Sequence, residues 1–314
     1  MINLAEINEA HRRISPYIHR TPVMTSTKLN DLVGARLHFK CENFQKIGAF
    51  KARGAFNAVL QVAEAAKPKS LTTHSSGNHA QALAYAAKIS GIPAYIVMPR
   101  TAPQVKKDAV RSYGAEIIEC EPVLQAREEA VQKIIAERGS LLVHPFDNDM
   151  VIAGQATAAK ELLEDVPVSL NSIITPVGGG GLLSGTALSA HFLAPFTVVY
   201  GAEPEGAADA IYSLKTGVVE KAKFIKTIAD GLLTTLSDRT LEIIKAYVKD
   251  IYLVSDDEIR AAMKLIWERM KIIVEASGAV PLAAVIRQKQ HFSGQEVGII
   301  ISGGNVDLSA FFDA

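Results

Sequence analysis

Four consecutive glycines, Gly178 to Gly181, carry the most chemical information in this sequence. They stand in Pro176-Val177-Gly178-Gly179-Gly180-Gly181-Leu182-Leu183-Ser184-Gly185. Without side chains, successive backbone N–H groups can turn toward one point, and a helix opening at Leu182 adds its positive dipole end. Together they make a cradle for one phosphate. No Lys-Ser/Thr follows, which excludes an ordinary P-loop. The dinucleotide pattern G-x-G-x-x-G also fails, because the sixth residue is Leu183 counted from Gly178 and Ser184 counted from Gly179. Glu203 lies about 20 residues on, where a ribose-binding acid would stand, so a nicotinamide dehydrogenase stays open as an alternative.

Lys51 suggests which phosphorylated group such a cradle would hold. It lies in Gln45-Lys46-Ile47-Gly48-Ala49-Phe50-Lys51-Ala52-Arg53-Gly54-Ala55. A lysine at a helix start is by default a solvated charge. Here Gly48 and Gly54 flank it, and Phe50 and Arg53 stand close by. An apolar ring and a nearby cation lower an ammonium pKa, as a Schiff-base lysine requires. Two further glycine-bearing loops, Ser75-Ser76-Gly77-Asn78-His79 and Ser302-Gly303-Gly304-Asn305, follow apolar runs.

The elements that must position these loops alternate. Apolar β-branched runs end at His74, Met98, Ile118, Val143, Thr175, Tyr200 and Ile301, with helix-like stretches between them at 80–88, 105–113, 126–137, 156–163 and 182–191. Continuous apolar strands separated by helices predict an α/β fold of two parallel-sheet, three-layer units. Loops at the carboxyl ends of such strands collect ligands, so the active site is expected between the two units. The breaks near 69 and 147 predict a small domain, 69–146, inserted into a large one made of 1–68 and 147–314. Ser255 and Glu258 form a capping box before a helix ending near Lys271.

Composition narrows the classes of function. The 314 residues are 48% hydrophobic and 21% charged, which excludes a disordered chain and a disulfide-stapled module. Lys plus Arg equals Asp plus Glu at 33 each, so nothing drives binding to nucleic acid or to an acidic membrane, and self-association as a homodimer is expected. Cys41 and Cys120 fit neither a zinc site nor a redox pair and read as buried in a reducing cytoplasm. The amino-terminal residues carry no secretory pattern, and no apolar run approaches the ~20 residues of a membrane span.

The four signatures, in their order Asn43–Ala55, Ser75–Gln81, the tetraglycine loop and Ser302–Asn305, resemble those of fold-type-II pyridoxal-phosphate enzymes. This tryptophan synthase β-like group includes serine racemases and serine/threonine dehydratases, and the resemblance runs along essentially the whole chain. It implies that Lys51 binds the cofactor covalently and that Phe50 packs beside its ring. Asn78 would donate to the ring hydroxyl oxygen. Gly178, Gly179, Gly180, Gly181 and Leu182 would grip the phosphate, and Ser302 would face the pyridine nitrogen. The substrate is a small amino acid, clamped by Ser75, Ser76, Asn78 and His79, although His79 by itself fits a satisfied structural histidine as well. Arg127 stands near that site in racemases, although an ordinary solvated helix arginine fits it as well. The resemblance makes Lys51 and Ser76 the acid/base pair on opposite faces of the substrate Cα. Ser76 also has a plainer reading as a helix-capping hydroxyl. Dedicated threonine dehydratases usually carry alanine at this position, so Ser76 favours serine racemisation with competing L-serine and L-threonine dehydration. The alternatives are a threo-3-hydroxyaspartate dehydratase, a dedicated threonine ammonia-lyase and a non-catalytic binding protein.

Glu203, Ala207 and Asp209 follow a strand, and their oxygens suit Mg2+, Mn2+ or Ca2+. The resemblance identifies them with the divalent-cation site of eukaryotic-type serine racemases. Three departures stand out: Ala49 replaces a usual serine, Ile47 a frequent threonine, and Glu275-Ala276-Ser277-Gly278-Ala279 a usual E-P-S-G-A. ATP binding is therefore not implied. The length leaves no room for a regulatory domain, so feedback inhibition by isoleucine is not expected.

Overall fold

The computed structural model describes residues 2–65 and 68–308. Its strands are β1 (Val23–Met24), β2 (Arg36–Cys41), β3 (Ser70–His74), β4 (Ala94–Pro99) and β5 (Glu116–Cys120). They continue with β6 (Ser140–Leu142), β7 (Ser172–Pro176), β8 (Val198–Pro204), β9 (Asp250–Val254) and β10 (Glu296–Ile301). The helices begin with α1 (Leu4–Ile14), α2 (Thr27–Val33), α3 (Lys51–Ala65), α4 (Asn78–Ser90), α5 (Gln104–Ser112) and α6 (Leu124–Arg138). They end with α7 (Asp149–Asp165), α8 (Gly181–Leu193), α9 (Ala210–Thr216), α10 (Asp238–Tyr247), α11 (Asp256–Leu265), α12 (Ala276–Arg287) and α13 (Lys289–Phe292).

Packing sorts the chain into two units. One combines the residues up to Ile18 with Lys51–Gln155; the other combines His19–Phe50 with everything from Ala156 onward. The first holds an all-parallel sheet in the order β5-β4-β3-β6. Val97 and Cys120 of this sheet cluster with Val131 and Ile134 of α6. Helix α3 packs along α4.

The second unit holds a sheet in the order β1-β2-β10-β7-β8-β9, parallel except for the β1–β2 pair. Successive residues of a strand point to opposite faces, and here they feed different clusters. Ile174, Val297, Ile299 and Ile301 pack with Ile259, Val280 and Leu282. Ile173 and Ile300 pack with Ala159, Leu162 and Leu182. Both faces of this sheet are thus covered by helices, which is why its strands read as unbroken apolar runs.

The units depart from the expected boundaries at 69 and 147. Helix α3 and the first part of α7 belong with the four-stranded sheet. The cause is a close helix approach: a Cβ on Gly154 would lie 2.6 Å from the Arg53 carbonyl oxygen and from the Gly54 Cα. Strand rhythm alone carries no mark of that crossing. The capping box of Ser255 and Glu258 is present, and α11 runs on into a π turn, Ile266–Met270, ending at Lys271. Cys41 and Cys120 are both buried and unpaired, and burial pushes the Cys41 thiol up to about 12. Among the described residues no helix is long and apolar enough to cross a membrane.

Candidate active site

Lys51 is the first residue of α3. The chain entering it is stitched down within the second unit: the Phe50 amide donates to the Ser302 carbonyl at 2.9 Å, and the Asn305 side-chain amide donates to the Ile47 carbonyl at 2.7 Å. Ile47 sits at φ +58°, which is costly for a β-branched residue. Within the first unit, the carboxamide oxygen of Gln155 accepts from the Gly54 amide at 3.2 Å.

The Lys51 ammonium donates to the Pro145 carbonyl at 2.8 Å. Burial alone lowers its pKa to about 8. The expected lowering is therefore present, and of its two expected causes, apolar surroundings and a nearby cation, desolvation acts and the cation does not.

The Ser75–His79 loop belongs to the same unit and follows β3. The Gly77 amide donates to the Ser75 hydroxyl at 3.3 Å, and Gly77, not Ser76, is the N-cap residue of α4. The capping reading of Ser76 is thus not realised. Ser75, Ser76 and Asn78 are half-buried, whereas His79 is 2% exposed. The His79 Nε2 pairs with the Val143 carbonyl at 3.0 Å. Burial, and then the Lys51 charge, hold the His79 pKa down at about 3. Arg127, on α6, is half-buried, and its buried Nε has no hydrogen-bond partner. It acts electrostatically on His74, the neighbour of Ser75.

The tetraglycine loop lies in the second unit, between β7 and α8. Gly180 is the N-cap of α8 at φ +86°, and a Cβ there would lie 2.8 Å from Leu236 and Thr240 side-chain carbons. A Cβ on Gly178 would lie 3.0 Å from the Leu232 Cα. Only glycine suits Gly180, and the backbone N–H groups opening α8 have no intrahelical acceptor. These are the properties a phosphate cradle requires, and the desolvated Lys51 amine of the first unit has those that an aldehyde cofactor requires. Phe50 packs against the cluster containing Leu182 and Ile300, and Ser302 is 2% exposed.

Glu203 and Asp209 are brought together at the end of β8. The Glu203 carboxylate accepts from the amides of Asp209 and Ala210, each at 2.9 Å, and of Ile211 at 3.2 Å, so it caps α9. Asp209 is 2% exposed, and its Oδ2 has no hydrogen-bond partner. Burial pushes both carboxyls up to about 7, and the Glu203 charge adds to the rise at Asp209. Ala207 is buried in the short turn Glu205–Ala207. Among the described residues no group of three or more His, Cys, Asp or Glu side chains forms a metal cluster. This site would rest on two carboxylates and a carbonyl, and the orphaned Asp209 oxygen fits a cation.

Sequence reading missed the Val143 and Pro145 carbonyls and the Gln155 contact to Gly54. Backbone acceptors have no residue signature, and a buried glutamine inside an apolar helix offers none that points to Gly54.

Comparison with known proteins gives the family. The chain is 54% identical, over 95% of both chains, to a beta-hydroxyaspartate dehydratase of Paracoccus denitrificans (strain Pd 1222). It is 52% identical, over 98% of its own length and 96% of the relative's, to a serine racemase of Dictyostelium discoideum. A solved structure of maize serine racemase superposes with a TM-score of 0.96 at 44% identity, covering 99% of this chain and 96% of that one. Residues 14–303 match the pyridoxal-phosphate dependent enzyme family, and the chain belongs to it.

Proposed function

We propose that this chain interconverts L- and D-serine and, in competition, dehydrates L-serine and L-threonine to a 2-oxo acid and ammonia. The observation that carries this reading is the half-buried Lys51 amine, held by the Pro145 carbonyl at 2.8 Å in the unit that also holds the Ser75–His79 loop. The identity to a serine racemase supports the substrate.

Pyridoxal phosphate, when bound, supplies an electron sink that acidifies the Cα proton of an amino acid joined to it. Lys51 Nζ would hold the cofactor, and the amides of Gly178, Gly179, Gly180, Gly181 and Leu182 would hold its phosphate. Phe50 would pack beside the ring, and Asn78 would donate to the ring hydroxyl oxygen. Ser302 would face the pyridine nitrogen; a serine hydroxyl leaves that nitrogen unprotonated, which weakens the sink and favours prompt return of the proton. The Ser75–His79 loop would orient the substrate carboxylate through Ser75, Asn78 and its backbone amides, while the His79 ring is held by the Val143 carbonyl. Lys51 Nζ would then exchange the Cα proton on one face and Ser76 Oγ on the other, the two-base arrangement that inversion needs.

Glu203, Asp209 and the Ala207 carbonyl would hold Mg2+, Mn2+ or Ca2+ in a structural role, because hard oxygen donors with an unsatisfied carboxylate oxygen suit such ions. The two buried thiols support a reducing cytoplasm, and a surface with no net charge supports a homodimer. Measuring D-serine and pyruvate in parallel from L-serine, with and without Mg2+, tests the reading. Both products are expected; formation of neither would reject it.

A second reading, dehydration of threo-3-hydroxyaspartate, is favoured by the identity to a beta-hydroxyaspartate dehydratase and by the unpartnered Nε of Arg127. That guanidinium would take the second carboxylate. Under this reading hydroxyaspartate outcompetes L-serine, and Arg127→Ala removes the preference.

A further inference from the structure

The segment Val143–Asp147 continues β6 and collects three contacts. Its start is fixed by the Val143 amide donating to the Thr72 carbonyl at 2.9 Å. It folds back on itself because the Asp147 amide donates to His144 Nδ1 at 2.9 Å. Between these points its carbonyls take two side chains: Val143 takes His79 Nε2 at 3.0 Å, and Pro145 takes Lys51 Nζ at 2.8 Å.

A carbonyl only accepts. The His79 proton must therefore sit on Nε2, and in the neutral ring Nδ1 is a bare acceptor. That Nδ1 is buried and has no hydrogen-bond partner. A second proton there would find nothing to share it with. The groups that act electrostatically on His79 are Lys51, His144 and His74, and each disfavours a charge on it.

We infer that His79 is a positioning residue, a proton-inert tether that fixes the Ser75–His79 loop to the segment receiving Lys51. Because the ring cannot charge, the tether does not loosen as the neighbouring Lys51 amine gains and loses protons. The loop that orients the substrate carboxylate thus keeps its register with Lys51. This rests on the role given to that loop under the proposed function.

The test has two arms on the cofactor-loaded enzyme. First, nitrogen-15 NMR of the ring: one protonated and one bare nitrogen should persist across about pH 5 to 8, where an ordinary imidazole changes charge. A ring that titrates in that window, or carries its proton on Nδ1, overturns the inference. This arm needs no turnover, so it stands apart from any failure of the serine reading. Second, His79→Ala should raise KM for L-serine about tenfold, the scale of one lost hydrogen bond, while kcat changes much less. His79→Gln, whose amide nitrogen can still reach Val143, should restore most of that loss. Unchanged KM in His79→Ala, or a glutamine variant no better than alanine, contradicts the tether.

Discussion

The Lys51 ammonium and the Pro145 carbonyl lie 2.8 Å apart, although 94 residues separate them in sequence. The contact holds the amine within the Lys51–Gln155 segment, where burial has already removed much of the stability of its charge. An amine with a folded pKa near 8 offers a far larger neutral fraction at physiological pH than an ordinary lysine does. That is the form able to attack an aldehyde.

A pH dependence follows from this shift. The rate at which cofactor-free protein takes up pyridoxal phosphate should rise with pH through a midpoint of about 8, not near the ordinary lysine value of 10.5. The same shift has a sign for stability. A lowered pKa means that the folded state binds fewer protons than the unfolded one between those two values, so Lys51 adds stability as pH rises from 8 to 10.5. Stopped-flow absorbance and thermal melts of the cofactor-free protein measure the two effects. An uptake midpoint above 10 would show that the amine is not desolvated.

Ser76→Ala should separate the two reactions. Removing the second acid/base group costs inversion on the order of 100-fold, while loss of the β-hydroxyl, which needs only the Lys51 face, should change less than about tenfold. D-serine and pyruvate are measured from the same reaction mixture. Equal losses would assign Ser76 to loop structure alone.

Gly180→Ala tests the cradle. The added methyl would meet Leu236 and Thr240 carbons at 2.8 Å in a left-handed backbone at φ +86°. Destabilisation of about 1–3 kcal/mol is expected. Affinity for pyridoxal phosphate should fall as well, because the amide geometry shifts. Thermal melts and equilibrium dialysis of the cofactor report the two effects, and wild-type affinity in the variant would remove this loop from the phosphate site.

Asp209 gives a metal-removal test. Chelation should lower Tm, since it leaves two buried carboxylates facing each other without compensation. Asp209→Asn removes that repulsion, so the variant's Tm should no longer respond to chelator or to added Mg2+. A wild-type Tm indifferent to chelator would make Glu203 a helix cap and nothing more.

Much of this was legible in the sequence because glycine loops and unbroken apolar strands have one dominant physical cause each. The run Ser172–Thr175 reads as a strand buried on both faces, and Ile173 and Ile174 do enter separate clusters. The need for glycine at 180 was equally readable, and the left-handed backbone there is its cause. The unit boundaries were not legible, because they depend on the close crossing of Gly54 and Gly154, two isolated glycines a hundred residues apart in helices. The cause of the Lys51 shift was legible only in part, through the apolar ring of Phe50. Arg53 stood nearby in sequence, whereas burial, a property of the folded unit, lowers the pKa. The His79 tautomer depends on a backbone carbonyl at Val143, which no residue type announces.

The measurement that bears most directly on the central claim is borohydride reduction of the yellow cofactor-loaded protein, followed by peptide mapping. Bleaching and one pyridoxyl-modified lysine, Lys51, are expected, with Lys51→Ala losing both the fixed label and turnover. Label on a different lysine, or full activity in Lys51→Ala, would contradict that claim.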